Sequence, residues 1–217
     1  RVERTFTGSF SAAGEASIHL ETKNGRISLV PWDNEGFQVR AVGFVRNHLA
    51  HQAETEFERL IGYQAGPDSL KIEATNMRAI AALSLAISLP RRLTYRIAAE
   101  TTNGSIHVTT ASPDVSCKTV NGTINVKVPA ALAGKYRLET TNGGIHVNLP
   151  RGVDLGMSVE AETHFGPIRI EHPDMDIVKE YQNIGNHEVK AVSRGYETTS
   201  GKLILDLETA HGSIVVS

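Results

Sequence analysis

The feature that most constrains the fold is a phrase that the chain repeats, Glu-Thr-x-Asn-Gly-x-Ile-x-Val. Its clearest copies begin at Glu21, Glu100, Lys118 and Glu139, and degenerate copies span residues 162–170, 197–205 and 208–216. Apolar and polar residues alternate within each copy, as side chains alternate along a β-strand. Self-similarity at a near-constant interval, together with this alternation, predicts stacked β-structure.

The apolar positions of the motif predict the interior of the protein. The residue two after each motif glycine is large and aliphatic: Ile27, Ile106, Ile124, Ile145, Ile168, Leu203 and Ile214. In the clear copies the residues four after, five before and seven before the glycine are apolar as well. Such spacing places them on one side of each strand. We therefore expect each motif to join two strands, with Ile106, Ile124 and Ile145 in single file in the core.

Both ends of the strands carry markers of a corner. The Asn-Gly pair predicts a tight two-residue turn, because both residues tolerate positive φ. A threonine precedes the glycine by three positions in all seven copies. We expect a ladder of hydroxyls that satisfies turn amides, since seven copies of one residue cannot all be catalytic. Prolines follow the second strand at Pro31, Pro90, Pro113, Pro129, Pro150 and Pro173.

These patterns predict an all-β protein, a single-stack β-solenoid (β-helix) with rungs of roughly 20 residues. We expect one domain over residues 1–217, with an irregular part at 1–90 and regular rungs over 91–217. Residues 50–63 are predicted to form a short amphipathic helix that caps the first rung, with a partner-docking element as the alternative. The last two motif copies are only 11 residues apart and predict a small antiparallel meander that caps the other end.

Composition excludes some classes of protein. The net charge is −2, from 22 basic and 24 acidic residues, whereas a nucleic-acid-binding protein normally shows a basic stripe. No apolar run is long enough to cross a membrane as a helix. The single cysteine, Cys117, has inward parity and predicts a buried, inert thiol.

The repeated Thr-x-Asn-Gly-x-Ile-x-Val phrase resembles the bacterial putative-adhesin families of unknown function. The resemblance covers nearly the whole chain, including Gly25 to Asp33 followed by a strand and the later Leu-Pro and Thr-x-Asn-Gly rungs. It implies a β-helical domain at the bacterial cell surface or attached to the membrane, in some cases linked to envelope stress. It implies no catalytic residue, ligand residue or cofactor.

The outward positions three after the glycine suggest one candidate contact surface. They carry His107, Asn125, His146 and Arg169, which we interpret as a solvated polar column that could bind a ligand. A metal site is not predicted there. If the rungs stack in sequence order, Asn125 separates the two histidines by about 9.6 Å, too far for imidazoles that must lie about 2.0–2.1 Å from a zinc ion.

A second outward column, four before the glycine, carries alternating charge at Glu100, Lys118, Glu139 and Glu162. We interpret it as a device that sets the register of the rungs. Glu139 and Glu162 on adjacent rungs would have the spacing of a glycosidase pair, but on an open, flat face. Phosphate-binding loops, nucleophile elbows and cysteine pairs are absent from the sequence. The sequence therefore predicts that the protein is not an enzyme.

The leading functional prediction is a rigid, non-enzymatic interaction or scaffold module of the cell envelope, in an extracytoplasmic or cell-surface location. Its partner would be an envelope component or another protein, with no nucleic acid. One alternative is a carbohydrate-binding or carbohydrate-active protein, by analogy with other β-helices. Another is a cytoplasmic partner domain in the envelope-stress response.

Overall fold

The computed structural model describes residues 1–217 except 12–13, 46–56, 58–60, 75–79, 110–111 and 130–131, and only the backbone of Ile80. The described residues form strands and no helix that could cross a membrane. In chain order the strands are β1 (Val2–Gly8), β2 (Glu15–Asn24), β3 (Ile27–Trp32), β4 (Phe37–Val45), β5 (Ile61–Ala65), β6 (Ser69–Ala74), β7 (Ile80–Pro90), β8 (Thr94–Asn103), β9 (Ile106–Val108), β10 (Asp114–Asn121), β11 (Ile124–Lys127), β12 (Gly134–Asn142), β13 (Ile145–Asn148), β14 (Gly156–Phe165), β15 (Ile168–Ile170), β16 (Met175–Asn183), β17 (Asn186–Ser193), β18 (Lys202–His211) and β19 (Ile214–Val216).

The strands assemble into two mixed sheets. Within the described residues, sheet 1 has nine strands in the order β1-β4-β7-β3-β9-β11-β13-β19-β15. Sheet 2 has ten strands in the order β16-β17-β14-β18-β12-β10-β8-β2-β6-β5. Most neighbours in the middle of each sheet are parallel, and the antiparallel pairs lie towards the ends. The prediction of an all-β protein is therefore confirmed.

Each motif copy that forms a corner sends its first strand into sheet 2 and its second into sheet 1. Parallel pairing then aligns equivalent positions, so that Ile27, Ile106, Ile124 and Ile145 are direct neighbours on consecutive strands. All four are fully buried. The inward positions of sheet 2 are likewise aligned and buried, as Val115, Cys117 and their neighbours show. The predicted single file of isoleucines is confirmed, and it forms the centre of one continuous core.

The Asn-Gly corner differs from the predicted turn. Strands β2 and β3 belong to different sheets, so the pair does not close a two-stranded hairpin. A Cβ atom added to Gly104 would overlap the carbonyl oxygen of Gly25, and one added to Gly122 would overlap that of Gly104. Gly143 repeats this approach to Gly122. Glycine is therefore required because consecutive corners stack backbone on backbone, a constraint that no single rung reveals.

The predicted threonine ladder exists, but its hydroxyls bond carbonyls rather than amides. Thr101, Thr119 and Thr140 are buried, and each donates to the carbonyl of the preceding rung's motif glycine at 3.1–3.3 Å. Thr22, Thr209 and Thr163 make equivalent bonds, of which that of Thr22 goes to Leu83. The seventh threonine, Thr198, lies in a turn and donates to Gly195 instead.

The motif asparagines form a second ladder on the outside of the corner. The amide of Asn103 donates to Asn24, that of Asn121 to Asn103, and that of Asn142 to Asn121, at 2.7–2.9 Å. The side-chain amides of Asn103 and Asn121 thus serve as both donor and acceptor along the stack. Because an amide chain of this kind requires exact alignment of neighbouring strands, it reinforces the register set by the buried corner.

The C-terminal strands do not form the predicted antiparallel meander. Strand β18 inserts in parallel between β12 and β14, and β19 inserts between β13 and β15. The last motif copy is therefore a full strand pair that reaches back into the stack. The antiparallel hairpin at this end is formed instead by β16 and β17, which extend sheet 2 beyond β14.

The first 90 residues also contribute to both sheets. Strands β2 and β6 join sheet 2, whereas β1, β3, β4 and β7 join sheet 1. Most of the helix predicted over residues 50–63 lies outside the described residues, and Phe57, the one described residue among 50–60, is helical and buried. Residues 50–56 and 58–60 lie outside the described residues, and Ile61 to Tyr63 belong to β5, which pairs with β6. The helical prediction is wrong for those three residues, because pairing with a neighbouring strand outweighs a short helical pattern.

Replacing Ile145 by alanine should lower the free energy of unfolding by about 2–5 kcal/mol, because it removes buried methylenes from the middle of the core. Urea denaturation of the two proteins measures the difference. His146→Ala, an exposed neighbour on the same strand, is the matched control and should change stability by less than about 0.5 kcal/mol. Equal stability of Ile145→Ala and the unsubstituted protein would place Ile145 outside the core.

Candidate functional site

A shallow polar groove lies on the outer face of sheet 1. Parallel pairing of β9, β11 and β13 places His107, Asn125 and His146 side by side. The groove has a volume of about 280 Å³ and is completed by Thr109, Val126, Lys127, Val147, Asn148, Val215 and Ser217. We call this set of residues the polar groove. Three of the four residues predicted as a contact surface thus line one concave feature.

The fourth predicted residue is displaced from the other three. Because β19 inserts between β13 and β15, Val215 separates His146 from Arg169. The order across the face is therefore His107, Asn125, His146, Val215, Arg169, and the predicted unbroken column is wrong at its last step. The sequence could not show this insertion, because it depends on a strand that follows Arg169 by more than 40 residues.

The members of the groove differ in exposure. His146 is exposed, whereas His107 and Asn125 are partly buried. Burial, aided by the positive charge of Arg26, lowers the pKa of His107. A neutral imidazole can both donate and accept a hydrogen bond, so His107 offers the same bonding capacity as the adjacent amide of Asn125. The groove is therefore suited to a polar ligand with donors and acceptors at intervals of about 4.8 Å.

The histidines of the groove do not form a metal-binding group. Asn125 lies between them, as the sequence predicts, so the rings are two strand spacings apart. Within the part of the chain that the structure describes, the one group of three potential ligands is His19, Glu21 and Glu73, on the face of sheet 2. Sequence analysis missed this group, since Glu73 lies outside every copy of the motif.

Sheet 2 carries a longer row of charge than the sequence predicts. Its outer face aligns one residue from each of eight neighbouring strands: Glu73, Glu21, Glu100, Lys118, Glu139, Glu208, Glu162 and Glu188. We call this set the acidic row. Glu139 and Glu162 are not on adjacent strands, because Glu208 lies between them. The predicted alternation of charge holds only around Lys118.

Two cationic side chains pair with Glu139 at the centre of the acidic row. The ammonium of Lys118 lies 3.0 Å from one carboxylate oxygen of Glu139, and the guanidinium of Arg137 lies 2.6 Å from the other. The hydrogen bond from Lys118 is the main cause that lowers the pKa of Glu139, against the opposing effect of its partial burial. The same contact raises the pKa of Lys118. This local pairing offsets the repulsion of carboxylates on neighbouring strands.

An open depression lies at the end of the acidic row. It has a volume of about 410 Å³ and is lined by Glu160, Glu162, Glu188, Asp206, Glu208, Lys179 and Lys190, among others. Lys190 bonds Glu160 at 2.6 Å. The remaining acids give the depression a negative balance, which would favour cationic groups or sugar hydroxyls that donate hydrogen bonds.

Cys117 takes no part in either surface. It is fully buried within β10, and burial raises the pKa of its thiol to about 12. A thiol of this kind is protonated near neutral pH and is a poor nucleophile. The sequence-based interpretation of a buried side chain in the core is therefore confirmed.

Replacing Lys118 by methionine should destabilise the protein by about 0.2–1 kcal/mol at pH 7, since Glu139 loses a partner. The pKa of Glu139 is depressed in the folded state, so this stabilisation exists above the unfolded pKa of about 4.3. It should fade as the pH falls through the folded pKa. Urea denaturation across that pH range tests the effect, with Lys127→Met on sheet 1 as the control. A deficit that is independent of pH would contradict it.

Comparison with solved structures shows that the fold is shared with a bacterial protein. A "putative cell adhesion protein" from Clostridium sporogenes superposes with a TM-score of 0.70 at 12% identity, over 99% of this chain and 98% of that chain. A "putative adhesin" from Bacteroides fragilis gives a TM-score of 0.34 at 8% identity, over 99% and 97%. No protein-family model and no curated protein matches the sequence. At such low identity, the first similarity speaks for the fold alone.

Proposed function

We propose that this protein is a non-enzymatic interaction module of the bacterial cell envelope, built as a β-solenoid. Its polar groove contacts an extended polar component of the envelope. The observation that carries the proposal is the in-register alignment of His107, Asn125 and His146 within one groove. The shared fold with a protein named for cell adhesion agrees with this role and with an extracytoplasmic location.

The arrangement suits binding for a physical reason. The backbones of β9, β11 and β13 are fixed by pairing on both sides and by the buried isoleucines beneath them. The side chains of the groove are thus presented at a fixed spacing, and little backbone entropy is lost when a ligand binds. An elongated ligand with a repeating polar group would meet one hydrogen-bonding side chain per strand.

The acid-lined depression favours one alternative, a carbohydrate-active protein. Glu162 is paired in register with Glu208 and with Glu188 on the neighbouring strands. Strand backbones lie about 4.8 Å apart, so two of these carboxylates could take the separation that glycoside hydrolysis uses. Such an enzyme would release reducing ends from an envelope polysaccharide. The interaction module that we propose would bind the same material and leave it intact.

The triple variant His107→Ala, Asn125→Ala, His146→Ala tests the proposed function by co-sedimentation with bacterial envelope fragments. We expect its affinity to fall at least about tenfold, or 1.4 kcal/mol, since all three central hydrogen-bonding groups are removed. The matched control replaces three exposed residues of sheet 2, Ser17, Ser116 and Lys135, by alanine. Undiminished binding by the groove variant, or release of reducing sugar by the unsubstituted protein, would contradict the proposal.

A further inference from the structure

Three potential metal ligands converge on the outer face of sheet 2, away from the polar groove. His19 and Glu21 occupy alternate positions of β2, and Glu73 of β6 lies directly opposite Glu21. One imidazole nitrogen and one oxygen from each carboxylate all lie within 4.8 Å of one another. The Nε2 atom of His19 is 3.6 Å from a carboxylate oxygen of Glu73. Strand pairing therefore assembles three donors that are 54 residues apart at the extremes.

We propose that His19, Glu21 and Glu73 form a binding site for a divalent transition-metal ion of the zinc type. An imidazole with two carboxylates is a donor set that zinc accepts, and three protein ligands leave a fourth position open. Bonds of about 2.0–2.1 Å in a tetrahedron place ligand atoms about 3.3 Å apart. Small rotations of the three side chains reach this spacing, because all of them lie at the surface with room to move.

The electrostatics of the acidic row favour a cation at this position. The carboxylates of Glu73, Glu21 and Glu100 lie on three consecutive strands, directly opposite one another. Like charges opposed in this way destabilise a sheet, and a bound cation removes that penalty. At Glu139, also on sheet 2, the same repulsion is offset by ion pairs with Lys118 and Arg137. At the triad Lys71 pairs with Glu73, and a metal ion held between Glu21 and Glu73 would offset the charge of both carboxylates.

Lys71 competes for the same oxygen. Its ammonium lies 2.9 Å from the Glu73 oxygen that His19 approaches, and their hydrogen bond is the main cause that lowers the pKa of Glu73. The ion must displace the ammonium, so Lys71 weakens the site. If Lys71 only paired with an acidic surface that binds no metal, replacing it would not change the affinity of the protein for a metal ion.

Binding would also fasten the end of sheet 2. Strand β6 pairs with β2 on one side and with the terminal strand β5 on the other. An ion held by His19 and Glu21 of β2 and by Glu73 of β6 bridges the two strands. A ligand that binds only the folded state stabilises it by mass action, so the metal should raise the melting temperature.

Isothermal titration of the full chain with zinc chloride tests the site. His19→Ala should weaken the triad's affinity at least about tenfold, because even outer partners of metal ligands contribute 10–100-fold. Lys71→Met should strengthen it. His146→Ala is the matched control for the other eight histidines and should bind as the unsubstituted protein does. Zinc binding that is unchanged in both His19→Ala and Lys71→Met would overturn the proposal.

The melting temperature is a second readout, and it does not require the number of zinc ions bound per chain to be known. Zinc should raise the melting temperature of the unsubstituted protein and of Lys71→Met, and at the same zinc concentration the increase should be smaller in His19→Ala. Calcium, which prefers oxygen ligands, distinguishes a mixed site from an acidic cluster. An equal increase with calcium that persists in His19→Ala would contradict a site built on the imidazole.

Discussion

The structure depends on the close approach of successive corners. Six of the seven motif glycines, all except Gly201, lie against a backbone carbonyl of the neighbouring strand pair, at a distance that leaves no room for a Cβ atom. The threonine hydroxyls donate to the same row of carbonyls from the core side. A buried carbonyl without a partner costs about 1–3 kcal/mol, so each threonine removes a penalty that the stacking creates. Register, core and surface all follow from this contact.

Exact register turns every outward position into a row. On sheet 1 it brings His107, Asn125 and His146 into the polar groove, and on sheet 2 it builds the acidic row. The rows have opposite electrostatic consequences. Uncharged hydrogen-bonding groups can be stacked without cost, whereas stacked carboxylates need cations, which Lys118 and Arg137 supply at Glu139. We therefore propose different ligands for the two faces: a polar chain on one and a metal ion on the other.

The inward positions could be predicted from sequence because they follow from local parity. Once Gly122 and Ile124 are aligned with Gly104 and Ile106, alternation fixes which side chains enter the core. The order of the strands could not be predicted in this way. The insertion of β18 and β19 between earlier strand pairs is a long-range event, and it separates His146 from Arg169. It also removes the apparent adjacency of Glu139 and Glu162.

The candidate metal site escaped prediction for a related reason. His19 and Glu21 carry the correct alternation, but Glu73 joins them only because β6 pairs with β2, and β6 has no copy of the motif. Around residues 61–63 the apolar pattern fits a helix as well as a strand. These residues form a strand because they pair with β6. The sequence thus predicts which side chains of a strand face inward or outward. Which strands pair with each other depends on the packing of the whole sheets.

The most direct test of the stacked corner is the stability of Gly122→Ala against that of Gly14→Ala, both measured by urea denaturation. Among the described motif glycines, only Gly25, Gly143 and Gly166 have a positive φ. The φ angle at Gly122 is therefore one that alanine can adopt. Local conformation alone would make the substitution stabilising by about 0.4–1 kcal/mol. Stacking predicts the opposite sign, a loss of at least about 1–3 kcal/mol, because the new methyl group overlaps the carbonyl of Gly104. Gly14 has no atom within 4 Å of an added Cβ and should show no loss. A Gly122→Ala protein as stable as Gly14→Ala would contradict the account.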